Sequence, residues 1–198
     1  MGLMVFTGGA RSGKSAAAQE TVMRSGADVC VAVFGRAEDD EMAERIEQHR
    51  AARPDGWRVV EAADSVEWTE RVQGDVLLVD CLGTLLGMVM GEVLAEMGSG
   101  ELVGVAALPD GYEAEVERRF AAIVGWIVRR EGHTVVVTNE VGDGVVPAYA
   151  TGRVFRDVLG RANRALVDRV DRAYLVVAGR LVPLHDLSER APWPWDER

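Results

Sequence analysis

The segment VFTGGARSGKSAA, residues 5–17, places a glycine-rich loop between an apolar run and a helical stretch. Gly8, four further residues and then Gly13, Lys14 and Ser15 match the G-x-x-x-x-G-K-[ST] pattern of a phosphate-binding loop. Glycines let successive N–H groups turn towards phosphate oxygens, and the following helix adds its positive N-terminus. We therefore predict that Lys14 contacts the β- and γ-phosphates of a nucleotide and that Ser15 binds Mg²⁺. The loop alone identifies neither the transferred group nor its acceptor.

The composition predicts one globular domain in the cytoplasm. The 198 residues are 48% hydrophobic and carry 32 acidic against 22 basic side chains, a net charge of −10 that disfavours nucleic-acid and anionic membrane partners. The first nine residues contain no basic leader, and the most apolar stretch, 81–91, is too short to cross a bilayer. Cys30 and Cys81 lie in apolar runs without CxxC spacing, which predicts buried, reduced thiols rather than a disulfide or a metal site.

Apolar strands alternate with helical stretches along the chain. This alternation predicts an α/β fold with a mainly parallel sheet covered by helices on both faces and a C-terminal hairpin. From the alternation together with the glycine-rich motif, we expect a P-loop (RecA-like) domain. We expect one catalytic domain over 1–184 and a tail over 185–198. The predicted strands are 3–8, 28–34, 57–62, 75–81, 133–140 and the hairpin 173–184, which turns at Gly179; the predicted helices are 13–24, 38–52, 65–72, 82–97, 112–131 and 150–170.

Asp80 ends the apolar run VLLVD and is the best-placed carboxylate for a metal. Mg²⁺ held partly by phosphate needs further oxygen ligands, and Asp80 would provide one beside Ser15. The alternative is that Asp80 caps the helix that follows. Sequence position alone does not separate these two roles.

The segment 39–57, DDEMAERIEQHRAARPDGW, carries Arg45, His49 and Arg53 at intervals of four residues. In a helix these side chains share one face, which by itself is more typical of a solvated surface. Beside a nucleotide, a neutral imidazole could attack phosphorus while the guanidinium groups hold the phosphate oxygens. Neighbouring cations also lower the pKa of an imidazole and so favour its nucleophilic form.

Four segments together resemble one family. GGARSGKS, DDEMAERIEQHRAARPDGW, VTNEVGDGVVP and FRDVLGRANRAL are similar, in order and spacing, to the bifunctional adenosylcobinamide kinase/adenosylcobinamide-phosphate guanylyltransferases of cobalamin biosynthesis. The resemblance covers residues 3–182. It implies phosphorylation of adenosylcobinamide by ATP or GTP, then transfer of GMP from GTP through a histidine to give adenosylcobinamide-GDP. It also implies a homo-oligomer, with a trimer as the expected form.

The resemblance implies which residues do this chemistry. His49 would be the guanylylated nucleophile, and Lys14 the second catalytic residue. Nucleotide contacts would fall on Gly8, Gly9, Ala10, Arg11, Ser12, Gly13, Lys14, Ser15, Phe34, Gly35, Arg36, Arg50, Ala51, Ala52, Arg53, Glu61 and Asp80, and metal ligands on Ser15 and Asp80. The chain departs from the family pattern at 33–36, where VFGR replaces small residues and threonine, and at Val59 and Arg164.

Other features leave alternatives open. TNEVGDGVVP, which follows a predicted central strand, is equally consistent with an active-site loop and a structural turn. Met88, Met90 and Leu94 could pack in the core or form a subunit contact, and His133 and His185 are expected to be structural. Two other functions fit the phosphate-binding loop: a P-loop kinase of another small molecule, in which His49 only binds phosphate, and a nucleotide-dependent switch without chemistry.

Overall fold

A mainly parallel sheet forms the centre of the protein. The computed structural model describes residues 2–35, Glu44, Arg50, 53–98 and 107–187. In these residues seven strands take the order β3-β2-β4-β5-β1-β6-β7. Only the last pairing, β6 with β7, is antiparallel. The strands are β1 (Gly2–Thr7), β2 (Val29–Val33), β3 (Arg58–Glu61), β4 (Val76–Asp80), β5 (His133–Val137), β6 (Arg172–Val177) and β7 (Arg180–Pro183).

Helices cover both faces of this sheet. The pleat turns alternate strand residues to opposite faces, so Leu78 packs with Ala18 of α1 while Leu77 packs with the other helices. The predicted α/β fold, with its hairpin turning at Gly179, is therefore confirmed. The described helices are α1 (Lys14–Met23), α2 (Leu82–Glu96), α3 (Tyr112–Arg129) and α4 (Ala150–Val167), with a 3-10 helix at Glu67–Arg71.

Most of the predicted helix 38–52 lies outside the described residues, although Glu44 and Arg50 are both helical. The predicted tail is described as far as Leu187. There the His185 ring lies 5.2 Å from the Tyr174 ring, and its Nδ1 is 3.0 Å from the carbonyl oxygen of Ala173. His185 thus packs against β6, in keeping with the structural role expected of it. His133 is exposed at the first position of β5.

Of the two alternatives for Met90 and Leu94 of α2, a core position or a subunit contact, the structure shows the core position. Met90 is 3% exposed and Leu94 is fully buried in the core of their own chain. The cause is the packing of α3 against α2, where the buried Tyr112 hydroxyl donates to the carbonyl oxygen of Met90 at 3.0 Å. Met88 is partly buried against the same core. Burial also raises the pKa of Tyr112 to about 12.

Both cysteines are free thiols, as predicted. Cys30 is buried in β2, whereas Cys81 is half-buried at the N-cap of α2. Among the described residues, none of the helices combines the length and the apolar character that crossing a membrane requires.

Candidate functional site

The glycine-rich loop connects β1 to α1 and depends on two glycines for its shape. A Cβ on Gly8 would lie 2.5 Å from the carbonyl oxygen of Val176, so no larger residue fits there. Gly13 is the N-cap of α1 with φ of 95°, a conformation that favours glycine. Gly179, in the turn between β6 and β7, donates its N–H to the carbonyl oxygen of Ser12 at 2.8 Å. The hairpin therefore supports the loop from outside.

Lys14 begins α1 and is the only lysine in the 198-residue sequence. Its side chain is 6% exposed, and its Nζ donates to the carbonyl oxygen of Gly9 at 3.1 Å. The ammonium group is thus folded over the loop whose N–H groups would face a phosphate. The buried Oγ of Ser12 makes no hydrogen bond within the described part of the chain.

Ser15 and Asp80, the two predicted metal ligands, are in contact. The Ser15 Oγ donates to Asp80 Oδ1 at 3.1 Å, from the first turn of α1 to the last residue of β4. Cys81 occupies the N-cap position of α2, and its N–H donates to the Thr84 hydroxyl oxygen at 3.3 Å. Asp80 therefore does not occupy the cap position that was its alternative role.

A hydroxyl and a carboxylate are hard oxygen donors that suit Mg²⁺. Within the described ranges, no group of three or more His, Cys, Asp or Glu side chains could hold a metal by itself. A cation at Ser15 and Asp80 would therefore need phosphate oxygens or water to complete its coordination, as is usual for Mg²⁺ at nucleotide sites.

Arg50, Arg53 and Glu61 lie together at the same edge of the sheet. Arg50 pairs with Glu61, the last residue of β3, at 2.8 Å. Burial lowers the pKa of the Arg53 guanidinium, and the nearby Asp80 carboxylate opposes that shift. The Nε of Arg53 is buried and forms no hydrogen bond among the residues described. Arg53, a predicted phosphate-binding cation, thus lies near Asp80, and Arg50 lies near Arg53 and Glu61.

The remaining predicted site residues include exposed positions, one core position and four that lie outside the described residues. Ala10 and Arg11 are exposed on the loop, where Arg11 has φ of 55°. Phe34 is 4% exposed, and its ring packs edge-on against Trp68 at 5.0 Å, so its side chain belongs to the core. Gly35 is exposed. His49, Arg36, Ala51 and Ala52 lie outside the described residues.

A polar network beside the loop was not predicted from the sequence. The buried Thr138 hydroxyl donates to Asn163 Oδ1 at 2.6 Å, and Asn163 Nδ2 donates to the carbonyl oxygen of Asn139 at 2.9 Å. The thiol of Cys81 lies 3.4 Å from Asn139 Oδ1. Two of the family-like segments, around 138–142 and 155–166, are therefore bonded to each other. The polar residues of these segments indicated that they could form hydrogen bonds. The sequence did not show that Thr138 and Asn163, 25 positions apart, bond to each other.

The loop, its buried lysine and the Ser15–Asp80 pair on a parallel sheet define a P-loop nucleotide-binding enzyme. Residues 4–184 match the model of a family described as cobinamide kinase / cobinamide phosphate guanyltransferase. The chain belongs to this family, which confirms the resemblance noted in the sequence.

Two relatives with similar sequences cover most of the chain. The bifunctional adenosylcobalamin biosynthesis protein CobU of Escherichia coli (strain K12) is 34% identical over 180 residues, which are 89% of this chain and 96% of the relative. CobP of Pseudomonas aeruginosa, of the same description, is 34% identical over 183 residues, 91% and 95% of the two chains. A solved ATPase of a type III secretion system aligns with 88% of this chain and 50% of its own, at 13% identity and a TM-score of 0.46.

Proposed function

We propose that this protein phosphorylates adenosylcobinamide with a nucleoside triphosphate and then converts the product to adenosylcobinamide-GDP with GTP. The two activities are those that name its family, cobinamide kinase and cobinamide phosphate guanyltransferase. In the second reaction GMP would be carried on His49. The first nucleotide would thus supply a phosphoryl group and the second a nucleotidyl group.

The contact between Ser15 and Asp80 beside Lys14 is the observation that supports this proposal most directly. It joins a phosphate-binding loop to a carboxylate on the second strand over, as a triphosphate with a bound cation requires. Ser15 and Asp80 would hold Mg²⁺, which would neutralise charge on the β- and γ-phosphate oxygens. Lys14 would stabilise the charge that develops on the leaving group in either reaction.

The guanylyl step is supported by the neighbours of His49. Arg50 follows it directly and Arg53 comes four positions later, and both lie at the edge of the sheet that carries the loop. An imidazole nitrogen would attack the α-phosphorus of GTP as the bond to the bridging oxygen breaks and pyrophosphate leaves. The phosphate of adenosylcobinamide phosphate would then attack this phosphorus, break the P–N bond and restore the imidazole. Guanidinium groups would hold the transferring phosphate.

We also propose that the protein is a cytoplasmic homo-oligomer, with a trimer as the expected form. The net charge of −10 is compatible with small-molecule rather than nucleic-acid partners. Because Met90 and Leu94 are buried, a subunit contact would have to use other surfaces.

Labelled GTP tests the proposed covalent step. With Mg²⁺, we expect the protein to retain an acid-labile label from α-labelled GTP and none from γ-labelled GTP. His49→Ala should abolish this labelling but still form adenosylcobinamide phosphate, because the γ-phosphoryl group passes directly to the hydroxyl. His133→Ala is the matched control, since His133 is exposed at the first position of β5, the end of the strand that lies away from the glycine-rich loop.

GMP retained on His49→Ala would show that another residue is the nucleophile. Equal loss of both activities in a folded His49→Ala protein would show that the histidine serves binding alone. Absence of any labelling in the wild-type protein would favour a P-loop kinase without a nucleotidyl step.

A further inference from the structure

The residues that follow β5 emerge between the glycine-rich loop and Asp80. β5 pairs with β1 on one side and with β4 on the other. Its pairing with β1 continues beyond the strand: the Thr138 N–H donates to the carbonyl oxygen of Phe6 at 2.9 Å, and the Glu140 N–H donates to that of Gly8 at 3.0 Å. Glu140 is thereby bonded to the first residue of the loop.

Hydrogen bonds to Asn163 of α4 hold the backbone segment that leads to Glu140. Thr138 is fully buried and bonded to Asn163, which also holds the carbonyl oxygen of Asn139. Gly83 leaves room for this segment, since a Cβ there would lie 2.6 Å from Asn139 Oδ1. Residues 138–140 are therefore held in one arrangement before any substrate binds, as a catalytic group requires.

The two carboxylate oxygens of Glu140 differ in their hydrogen bonds. Oε1 accepts the Gly142 N–H at 3.0 Å, whereas Oε2 accepts no hydrogen bond from the described residues. The side chain is half-buried. By contrast, Asp80, another carboxylate at this edge, accepts the Ser15 hydroxyl.

Resting on the proposed function, we propose that Glu140 is the general base of the kinase reaction. The hydroxyl oxygen of adenosylcobinamide forms a bond to the γ-phosphorus, and the hydroxyl proton passes to Glu140 Oε2. The bond between the γ-phosphorus and the bridging oxygen breaks, and its electron pair leaves with the nucleoside diphosphate. A positioned carboxylate plays this part in protein kinases.

The same group is not needed in the guanylyl reaction. There the acceptor is a phosphate, whose second pKa of about 6 leaves it mostly deprotonated at neutral pH. It presents a nucleophilic oxygen without loss of a proton. Substitution of Glu140 should therefore impair only the kinase reaction, because only its acceptor must lose a proton. Substitution of His49 should impair only the guanylyl reaction, because only that reaction uses a covalent carrier.

Glu140→Gln tests this assignment because it keeps the shape of the side chain and the acceptor for the Gly142 N–H. We expect kcat for adenosylcobinamide phosphorylation to fall about 100-fold or more, the usual contribution of a general base, with KM for the nucleotide unchanged. GMP transfer to supplied adenosylcobinamide phosphate should stay close to wild type. Glu140→Asp should retain part of the kinase activity.

Glu131→Gln is the matched control, because it makes the same change at an exposed carboxylate just before β5, at the opposite end of that strand from Glu140. It should leave both reactions unchanged. Unchanged kinase kcat in Glu140→Gln, or equal loss of both reactions in a variant with wild-type circular dichroism, would overturn the inference. Wild-type protein that phosphorylates no adenosylcobinamide would instead contradict the proposed function, so the two failures differ.

Discussion

Asp80 is the residue whose charge should matter most to metal-dependent turnover. Asp80→Asn keeps an oxygen that can accept the Ser15 hydroxyl but removes the negative charge beside Arg53. With a weaker cation site, both half-reactions should slow about tenfold or more at limiting Mg²⁺ and recover partly at high Mg²⁺. Activity titrated against Mg²⁺ measures this effect, and thermal unfolding checks that the fold is retained.

Asp110→Asn removes the same charge from an exposed position before α3 and should leave the Mg²⁺ dependence unchanged. An Asp80→Asn protein with the wild-type Mg²⁺ dependence would mean that the cation is held elsewhere.

At the level of single elements, α4 and the end of β5 depend on one buried amide. Asn163→Ala leaves the fully buried Thr138 hydroxyl and the carbonyl oxygen of Asn139 without their partner. We expect the free energy of unfolding to fall by about 1–3 kcal/mol, the usual penalty for stranded buried polar groups. Urea denaturation measures the change.

Thr138→Val removes the other partner of the same hydrogen bond. In the double variant the free energy of unfolding should therefore fall by less than the sum of the two single losses. Strictly additive effects of the two substitutions would show that Thr138 and Asn163 are not energetically coupled.

The sequence predicted the strands because most of them are short apolar runs, and central strands such as VCVAV and VLLVD are buried on both faces. It also predicted that Ser15 and Asp80 lie close together, because both are placed by the carboxyl ends of parallel strands of one sheet. It failed where distant segments meet: the bond of Thr138 to Asn163 and the support of Ser12 by Gly179 depend on how elements pack. Hydrophobic spacing does not encode such pairings.

One local difference has a visible cause. The predicted helix 65–72 is a shorter 3-10 helix at Glu67–Arg71. The Asp64 carboxylate accepts the N–H groups of Val66 and Glu67 at 2.8 and 2.7 Å, which also lowers the pKa of Asp64. The buried Trp68 donates its ring N–H to the carbonyl oxygen of Ser65 at 2.9 Å. These local bonds favour a tight turn over a regular helix.

Across the whole molecule, ion pairs connect the helices that cover one face of the sheet. Arg119 of α3 binds Glu96 of α2 and Glu115 of its own helix, while Arg161 of α4 binds Glu113 and Glu117 of α3. Hydrogen bonds from Arg118 and Arg119 lower the pKa of Glu115 to about 2. These pairs are exposed or only partly buried, so each contributes little alone and is weakened by salt.

Acid should therefore loosen this helical layer. Because the folded pKa of Glu115 lies below its ordinary value of 4.5, its contribution is present above 4.5 and is lost as pH falls towards about 2. We expect Tm to decline over this range and Glu115→Gln to decline less steeply than wild type. Thermal unfolding followed by circular dichroism at a series of pH values measures both slopes, and identical slopes would contradict the prediction.

Because the chain contains a single lysine, that residue can be labelled selectively for spectroscopy. Apart from the N-terminal amine, Lys14 is the only aliphatic amine in the sequence, and its Nζ lies over the loop carbonyl of Gly9. Reductive methylation with isotope-labelled formaldehyde would place one internal pair of methyl groups at the proposed phosphate-binding loop, because arginine does not react. Their resonance would then report occupancy of the loop directly, free of the overlap that surface lysines cause in other proteins.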